Sequence, residues 1–251
     1  MIEVKNLVKK YGEKKVVDNV SLNIEKGKLT SLIGPNGAGK STVLSMISRI
    51  MSIDSGEVSI DGVKLEKWDQ KELSKKISIL KQSNNINVRL KIEELVGFGR
   101  FPYCEGRLRE EDKKFVAEAI EYMKLTDIKD RYLDELSGGQ RQRAYIAMVI
   151  AQNTEYILLD EPLNNLDMKH SVEMMKVLRG LVDNLGKTVV IVMHDINFAS
   201  CYSDNIIVLK DGAVVKEANT EEVIVEDFLE NVYDIKFNIK DIDSQKICVY
   251  F

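Results

Sequence analysis

The fold of this chain depends on one stretch, Gly34-Pro35-Asn36-Gly37-Ala38-Gly39-Lys40-Ser41-Thr42. A glycine, four free positions and then Gly-Lys-Ser form the pattern of a phosphate-binding loop. Ahead of the loop, the apolar-rich residues 28–33 predict a strand, and behind it the apolar positions between Val43 and Ile50 follow helical spacing. This order of strand, loop and helix is the context in which the pattern indicates phosphate binding.

The glycines and the lysine of this loop suit the phosphates of a nucleotide. Glycines let backbone N–H groups turn inward toward an anion, and the helix that begins near Gly39 points its positive end at the same place. We expect Lys40 to reach the β- and γ-phosphates and the Ser41 hydroxyl to ligate Mg²⁺. The alternative is a glycine-rich turn that binds nothing, but the flanking pattern argues against it.

Composition limits the class of protein. A chain of 251 residues with 44% hydrophobic and 30% charged residues is expected to bury a core, in one large domain or two small ones. A net charge of −4 gives no basic excess for nucleic-acid binding. The longest apolar runs are too short to span a bilayer, and the first residues lack a signal-peptide layout, so we expect a cytoplasmic protein. Cys104, Cys201 and Cys248 are expected to be reduced thiols.

The first part of the chain predicts strands. Residues 2–8 and 20–24 alternate apolar and polar, which is typical of strands with one buried face. Tyr11 lies on a turn between them, where it could stack on a purine ring or simply pack against its neighbours. Residues 77–80 predict a strand that delivers Gln82 at its end, followed by Ser83, Asn84 and Asn85. A glutamine there can ligate Mg²⁺ or orient a water, although such residues are more often ordinary surface residues.

From Val88 to about Ala151 the strand signals stop and helical patterns follow. This change predicts an all-helical insertion in an α/β domain. Residues 136–140, Leu-Ser-Gly-Gly-Gln, end that region and open its last helix, whose two glycines make a second anion-binding N-terminus.

Two apolar runs end in residues that can act on phosphate. Residues 156–159 run directly into Asp160 and Glu161, and residues 188–193 end at His194. Fully apolar strands are typical of a buried parallel sheet, and open α/β sheets hold their ligands at the carboxyl ends of the strands. We therefore expect Asp160 to hold Mg²⁺ through water, Glu161 to polarise an attacking water, and His194 to have a function. His170, on the exposed start of a helix, is interpreted as an ordinary residue.

Together these motifs resemble the nucleotide-binding subunit of an ABC transporter, over essentially the full length of the chain. Many NTPase families share the phosphate loop, but residues 136–140 look like the ABC signature. The resemblance implies that Gln82, Asp167 and His194 are the Q-loop, D-loop and H-loop residues. It also implies that Tyr11 is the aromatic that stacks on adenine.

The fold implied by this resemblance is α/β, a P-loop NTPase of ABC type. It has a mixed-sheet core, an N-terminal antiparallel β-subdomain and an inserted α-helical subdomain. We expect a single ABC ATPase domain over residues 1–251. Within it, residues 1–87 and 152–251 would form the core with a short C-terminal extension, and residues 88–151 the helical subdomain that carries the signature.

The resemblance also implies that the chain binds ATP and Mg²⁺ and hydrolyses ATP. The residues expected to contact ATP are Tyr11, Gly34, Pro35, Asn36, Gly37, Ala38, Gly39, Lys40, Ser41, Thr42, Ser137, Gly138, Gly139, Gln140 and Asp167. The residues expected to take part in catalysis are Lys40, Gln82, Glu161 and His194. The residues expected at the Mg²⁺ ion are Ser41, Gln82 and Asp160.

Partners follow from the same resemblance. Two copies are expected to pair head to tail in the ATP-bound state, with each nucleotide between the phosphate loop of one copy and the signature of the other. The other expected partners are transmembrane permease subunits, docked on the helical insertion, and through them an extracytoplasmic substrate-binding protein. No nucleic acid is expected. The chain would lie peripherally on the inner face of the cell membrane.

A narrower resemblance concerns the cargo. Residues 99–103, 141–148 and 194–199 look like those of the ATPases of iron(III)-siderophore importers, a class that also serves haem and cobalamin. The alternatives are an ABC ATPase for haem, cobalamin or an exported substrate, and a non-transport ATPase acting on nucleic acid or the ribosome. The insertion is too short for the long coiled coil of the DNA-repair ATPases.

One segment departs from the family pattern. After Asp160-Glu161-Pro162 the family commonly has a threonine and then a small or polar pair, whereas this chain has Leu163, Asn164 and Asn165. The residues on the approach of the D-loop to the partner copy therefore differ from the pattern.

Overall fold

The computed structural model describes residues 1–82, 88–104, 106–164 and 166–251, so Ser83, Asn84, Asn85 and Asn165 lie outside the described residues. The strands are β1 (Ile2–Tyr11), β2 (Lys14–Ile24), β3 (Leu29–Ile33), β4 (Ser55–Ile60), β5 (Val63–Lys64), β6 (Ile77–Leu80), β7 (Tyr156–Asp160), β8 (Thr188–Val192), β9 (Asn205–Lys210), β10 (Ala213–Asn219), β11 (Asn238–Ile242) and β12 (Gln245–Val249). The helices are α1 (Lys40–Ile47), α2 (Gln70–Lys76), α3 (Ile92–Gly97), α4 (Phe101–Cys104), α5 (Glu110–Tyr122), α6 (Gly138–Ala151), α7 (Met168–Asp183), α8 (Ile196–Tyr202), α9 (Thr220–Val223) and α10 (Glu226–Tyr233).

The chain separates into two compact units. The first unit is Met1–Trp68 with Leu181–Phe251, and the second is Asp69–Gly180. The helices of the predicted insertion, α3 to α6, lie in the second unit together with β6 and β7. The predicted helical subdomain, residues 88–151, is therefore contained in a larger unit. Within the described ranges, no helix has both the length and the hydropathy that crossing a bilayer requires.

The first unit contains an antiparallel sheet in the order β2-β1-β4-β5 and a mixed set of strands in the order β10-β9-β3-β8. In the mixed set β3 runs parallel to both β8 and β9, and β10 is antiparallel to β9. β3 and β8 are buried at every position, as parallel strands covered on both faces must be. The predicted α/β class, with a mixed sheet and an N-terminal antiparallel sheet, is confirmed.

β2 begins earlier than the predicted strand over residues 20–24, and Tyr11 is the last residue of β1 rather than part of a turn. The pairing of β1 with β2 shifts register several times, and Asn6 and Asn19 have left-handed backbones, with φ of 50° and 54°. Such bulges break the period-two alternation by which a strand is detected in sequence. The paired strands are therefore longer than the alternation indicates.

The second unit places one parallel strand pair beside the helices. β6 and β7 pair from Ile77 opposite Tyr156 to Leu80 opposite Leu159. α3, α5 and α6 pack on one another, and α5 turns Val116, Ala119 and Ile120 inward. Gly99 permits a close approach to α6, because a Cβ added at this glycine would lie 2.1 Å from the Met148 carbonyl oxygen.

A buried ion pair holds the helices of this unit together. Arg100 Nε donates to Asp112 Oδ1 at 3.1 Å, and Arg100 Nη1 donates to the Ala151 carbonyl at 2.9 Å. The two side chains are only 4% and 6% exposed. The guanidinium also lies over the rings of Tyr103 and Phe115, at 3.9 and 4.2 Å from their centroids. This arginine therefore joins the segment before α5 to α5 itself and to the end of α6.

The charge on Asp112 depends on these partners. Burial raises the pKa of this carboxyl, but the Arg109 backbone N–H and the Arg100 guanidinium outweigh burial, and the net pKa is lowered. A lowered pKa in the folded state stabilises the fold at pH values above the ordinary aspartate pKa. That stabilisation is lost as the pH falls through the lowered value.

We expect the Arg100→Ala substitution to lower the free energy of unfolding by about 3–5 kcal/mol, because it leaves the Asp112 charge buried without its partner. Urea denaturation at neutral pH measures this loss. Lys114→Ala, at an exposed position of α5, is the control and should change the free energy by no more than about 0.5 kcal/mol. Equal effects of the two substitutions would contradict the role given to Arg100.

Candidate functional site

The phosphate loop lies between β3 and α1, as its pattern predicts. Gly34, Gly37 and Gly39 have φ of 138°, 79° and 95°, which only glycine adopts without strain. A Cβ added at Gly34 would lie 1.9 Å from the Leu209 carbonyl oxygen, and one added at Gly39 would lie 2.7 Å from the Val16 carbonyl oxygen. The loop is therefore enclosed by backbone from β9 and β2, and its tip, Asn36 and Gly37, is exposed.

Lys40 is held inside this loop. This residue is 5% exposed, and its Nζ donates to the carbonyls of Gly34 and Pro35 at 2.7 and 2.9 Å. These two bonds fix the ammonium at the base of the loop, at the first residue of α1. A positive charge and a helix N-terminus at one point favour an anion there.

His194 and Tyr11 belong to the same unit as the loop. β8 pairs in parallel with β3 up to Val192 opposite Leu32, so His194 and the loop follow neighbouring strands at one edge. Tyr11 lies at the tip of the β1–β2 hairpin, opposite Lys14, and is 54% exposed. Its hydroxyl donates to Met51 Sδ at 3.3 Å. The exposed ring is thus held at one end and open to solvent over much of its surface.

In the second unit, parallel pairing brings Gln82 and Glu161 together. β6 ends two residues before Gln82, and β7 ends at the residue before Glu161. Gln82 Nε2 donates to Glu161 Oε2 at 2.6 Å. Asp160, the last residue of β7, is 7% exposed. The acidic pair predicted from the sequence therefore has one buried and one partly exposed member.

A second amide holds Glu161, and it comes from the segment that departs from the family pattern. Asn164 Nδ2 donates to the same oxygen, Oε2, at 2.5 Å. The Glu161 backbone has φ of 51°, a left-handed conformation that is uncommon outside glycine. Strained backbone of this kind occurs at functional sites where the surrounding structure fixes it. Two charge-assisted hydrogen bonds and a fixed backbone leave this carboxylate in one orientation.

The signature residues form the N-terminus of α6. Ser137 Oγ accepts from the Gln140 backbone N–H at 3.2 Å, and Gln140 Oε1 accepts from the Ser137 backbone N–H at 3.0 Å. This reciprocal arrangement is a capping box, and it fixes the first turn of the helix. Ser137 and Gly138 are exposed, so this end of the helix is presented to solvent. The side chain of Gln140, predicted to contact ATP, is used in the cap.

Asp167 caps the start of α7. Its Oδ1 accepts from the backbone N–H of His170 at 2.8 Å, and its carbonyl accepts from the Ser171 N–H at 2.9 Å. The backbone N–H and then the side chain of His170 lower the pKa of Asp167. The predicted D-loop residue is therefore an ionised and exposed carboxylate.

The residues predicted for ATP and Mg²⁺ suit those groups chemically. The phosphate loop offers three positive-φ glycines, the Lys40 ammonium and a helix start. The hydroxyl of Ser41, the carboxylate of Asp160 and the side-chain amide of Gln82 supply hard oxygen ligands, the kind that Mg²⁺ prefers. Among the described residues, no group of three or more His, Cys, Asp or Glu side chains is arranged around a common point.

Three contacts were not anticipated from the sequence. Met51 holds the Tyr11 hydroxyl, Asn164 holds Glu161, and His170 holds Asp167. Asn164 and His170 each follow their acidic partner by three positions. Asp167 and His170 have the spacing of a helix cap, and Glu161 and Asn164 have that of a turn, in which the Asn164 N–H donates to the Glu161 carbonyl at 3.2 Å. That spacing is a signal in the sequence. Met51 has no such local signal.

Comparisons with known proteins agree on one family. The family model described as ABC transporter matches residues 17–164, more than half of the chain. The petrobactin import ATP-binding protein YclP of Bacillus subtilis (strain 168) is 62% identical over 251 residues, which is 100% of both chains. The ferric enterobactin transport ATP-binding protein FepC of Escherichia coli (strain K12) is 37% identical over 92% of this chain and 86% of its own.

A solved structure with the same fold is the dimeric ATP-binding cassette MJ0796 in a post-hydrolysis state, bound to ADP and Pi. It superposes with a TM-score of 0.78 and 38% identity, over 88% of this chain and 99% of its own. Because the family model covers more than half of the chain and a relative is 62% identical over its full length, the chain belongs to the ABC transporter family.

Proposed function

We propose that this chain is the ATP-binding and ATP-hydrolysing subunit of an ABC importer for iron(III)-siderophores. The observation that carries the hydrolytic part is the carboxylate of Glu161 at the end of a buried parallel strand, held by the amides of Gln82 and Asn164. The cargo is supported by relatives whose names specify import of petrobactin and transport of ferric enterobactin. The relative named for petrobactin import matches the full length of the chain.

ATP binding is assigned first to the phosphate loop. Its backbone N–H groups and the α1 N-terminus, which carries about half a positive charge, would hold the β- and γ-phosphates. The Lys40 ammonium, fixed by the Gly34 and Pro35 carbonyls, would add a charge at the β- and γ-oxygens. The exposed ring of Tyr11 would stack on the adenine.

Hydrolysis is assigned to Glu161. Its carboxylate would accept a hydrogen bond from a water and orient that water for in-line attack on the γ-phosphorus. The bond from the water oxygen to phosphorus forms as the bond to the ADP oxygen breaks, and the water proton leaves with phosphate or passes through Glu161. His194 would contact the γ-phosphate. Mg²⁺, held by Ser41, Gln82 and, through water, Asp160, would neutralise charge on the phosphate oxygens.

A second copy would complete the site. Each copy presents Ser137 and the exposed N-terminus of α6, and in a head-to-tail dimer these donors would reach the γ-phosphate bound by the partner. ATP would therefore close the two copies and hydrolysis would let them open. This cycle would drive permease subunits docked on the helical insertion, with the chain peripheral on the inner face of the membrane. An extracytoplasmic binding protein would deliver the chelate.

Replacing Glu161 by glutamine should leave ATP affinity unchanged and lower turnover about 10³-fold, because the general base is lost while the phosphate loop is intact. An ATP-bound dimer should accumulate. Fluorescent-ATP titration, phosphate release and sedimentation measure the three quantities. The Lys40→Ala variant is the comparison, and it should lose tight ATP binding because the phosphate loop loses its positive charge. Near-normal hydrolysis by Glu161→Gln would refute the assignment of the base.

Replacing Asn164 by alanine should lower kcat about tenfold with little change in the KM for ATP, because a hydrogen bond that orients Glu161 is lost. Asn164→Asp, which has the same size but no donor, should fall at least as far. Lys169→Ala, at an exposed position in the same segment, is the control. Steady-state ATPase assays measure both parameters, and an unchanged kcat in Asn164→Asp would contradict this role.

The cargo is tested in cells that lack this chain. We expect uptake of ⁵⁵Fe-labelled siderophore to be lost, to return with the natural chain and to remain absent with Glu161→Gln. Uptake of labelled cobalamin and haem by the same cells serves as the comparison. Loss of cobalamin or haem uptake with normal siderophore uptake would assign the chain to another cargo while leaving its ATPase role intact.

A further inference from the structure

The proposed mechanism assigns no role to His170. This residue nevertheless contacts both Asp167, the D-loop residue, and Gly139 of the signature. Its ring Nδ1 is 2.8 Å from Asp167 Oδ1, and its backbone N–H donates to the same oxygen at 2.8 Å. The Asp167 side chain is 65% exposed and that of His170 is 36% exposed. An aspartate this exposed would otherwise sample several rotamers. Two donors from one residue hold its carboxylate in a single orientation.

The same ring lies against the signature. A Cβ added at Gly139 would be 3.6 Å from His170 Cγ and 3.5 Å from Leu166 Cδ2, which are ordinary van der Waals distances. The second glycine of the signature therefore faces the histidine that holds Asp167. Any side chain at this position would have to fit against that ring.

A second contact joins α6 to the residues that follow β7. Gln142, on the next turn of α6, donates to the Pro162 carbonyl at 2.9 Å, directly after Glu161. The start of α6 thus contacts Pro162 through Gln142 and His170 through Gly139. His170 in turn holds Asp167, so the signature and the D-loop aspartate are linked through these contacts.

We propose that His170 is a positioning residue that fixes the D-loop carboxylate against the signature helix, so that both meet the partner copy together. This inference rests on the proposed head-to-tail dimer, in which both elements face the other copy. The phosphate loop belongs to the other compact unit and needs no help from His170 to bind ATP. Loss of the histidine should therefore weaken the closing of two copies and spare the binding of ATP to one.

Two substitutions separate the hydrogen bond from the packing of the ring. His170→Phe keeps a ring beside Gly139 and removes the donor to Asp167. His170→Asn removes the ring and keeps a side-chain N–H at a similar reach. Lys176→Ala, at an exposed position two turns further along α7, is the matched control. All are made in the Glu161→Gln background, where ATP is not consumed.

Sedimentation equilibrium with saturating ATP and Mg²⁺ measures the dimer dissociation constant, and fluorescent-ATP titration at low protein concentration measures monomer affinity. We expect His170→Phe to weaken the dimer about tenfold, the loss typical of one hydrogen bond to a charged group. His170→Asn should restore it to within about threefold, and ATP affinity and melting temperature should stay unchanged in both. A merely structural role would lower melting temperature and ATP affinity along with dimerisation.

The outcomes separate this inference from the proposed function. If Glu161→Gln stays monomeric at all ATP concentrations, the head-to-tail dimer itself is wrong. If Glu161→Gln dimerises and His170→Phe dimerises equally tightly, the proposed function stands and the positioning role of His170 is overturned. Weakening of the dimer by Lys176→Ala to the same extent would also overturn it.

Discussion

Parallel pairing of buried strands is the constraint on which the rest of the structure depends. β3 pairs with β8 in the first unit, and β6 pairs with β7 in the second. Parallel strands end at a common edge, so the residues that follow them become neighbours before any side chain makes a contact. The phosphate loop follows β3 and Glu161 follows β7, and one geometric rule therefore places the residues proposed to bind ATP and those proposed to cleave it.

This rule also explains how much the sequence could predict. A fully apolar run followed at once by Asp160 or His194 is visible without a structure, and so is a strand, loop and helix around Lys40. The α/β class and the family resemblance, which rest on such features, are confirmed. The early start of β2 could not be predicted, because bulges at Asn6 and Asn19 break the alternation that marks a strand. The roles of the individual site residues stay predictions.

Hydrophobic periodicity does not predict the side chains that orient the residues of the proposed site. Asn164 and His170 donate to acidic residues three positions before them, so their contacts depend on the turns that follow β7 and precede α7. A turn is fixed by backbone angles at a few residues, such as the φ of 51° at Glu161. The three-residue spacing marks the two partners as close in sequence, and the backbone angles decide whether their side chains bond. The departure from the family pattern at Asn164 was expected to affect the approach to a partner copy. The structure shows that Asn164 contacts the proposed base, Glu161.

The buried pair of Arg100 and Asp112 bears on how such subunits can be recombined. Residues 99–103 look like a mark of siderophore importers, yet Gly99 packs on the Met148 carbonyl and Arg100 reaches both Asp112 and Ala151. The motif is thus one side of an internal interface whose other side is supplied as far away as the end of α6. A chimera that exchanges the motif alone would separate the arginine from its carboxylate, so a transferable segment has to include at least Gly99 through Asp112.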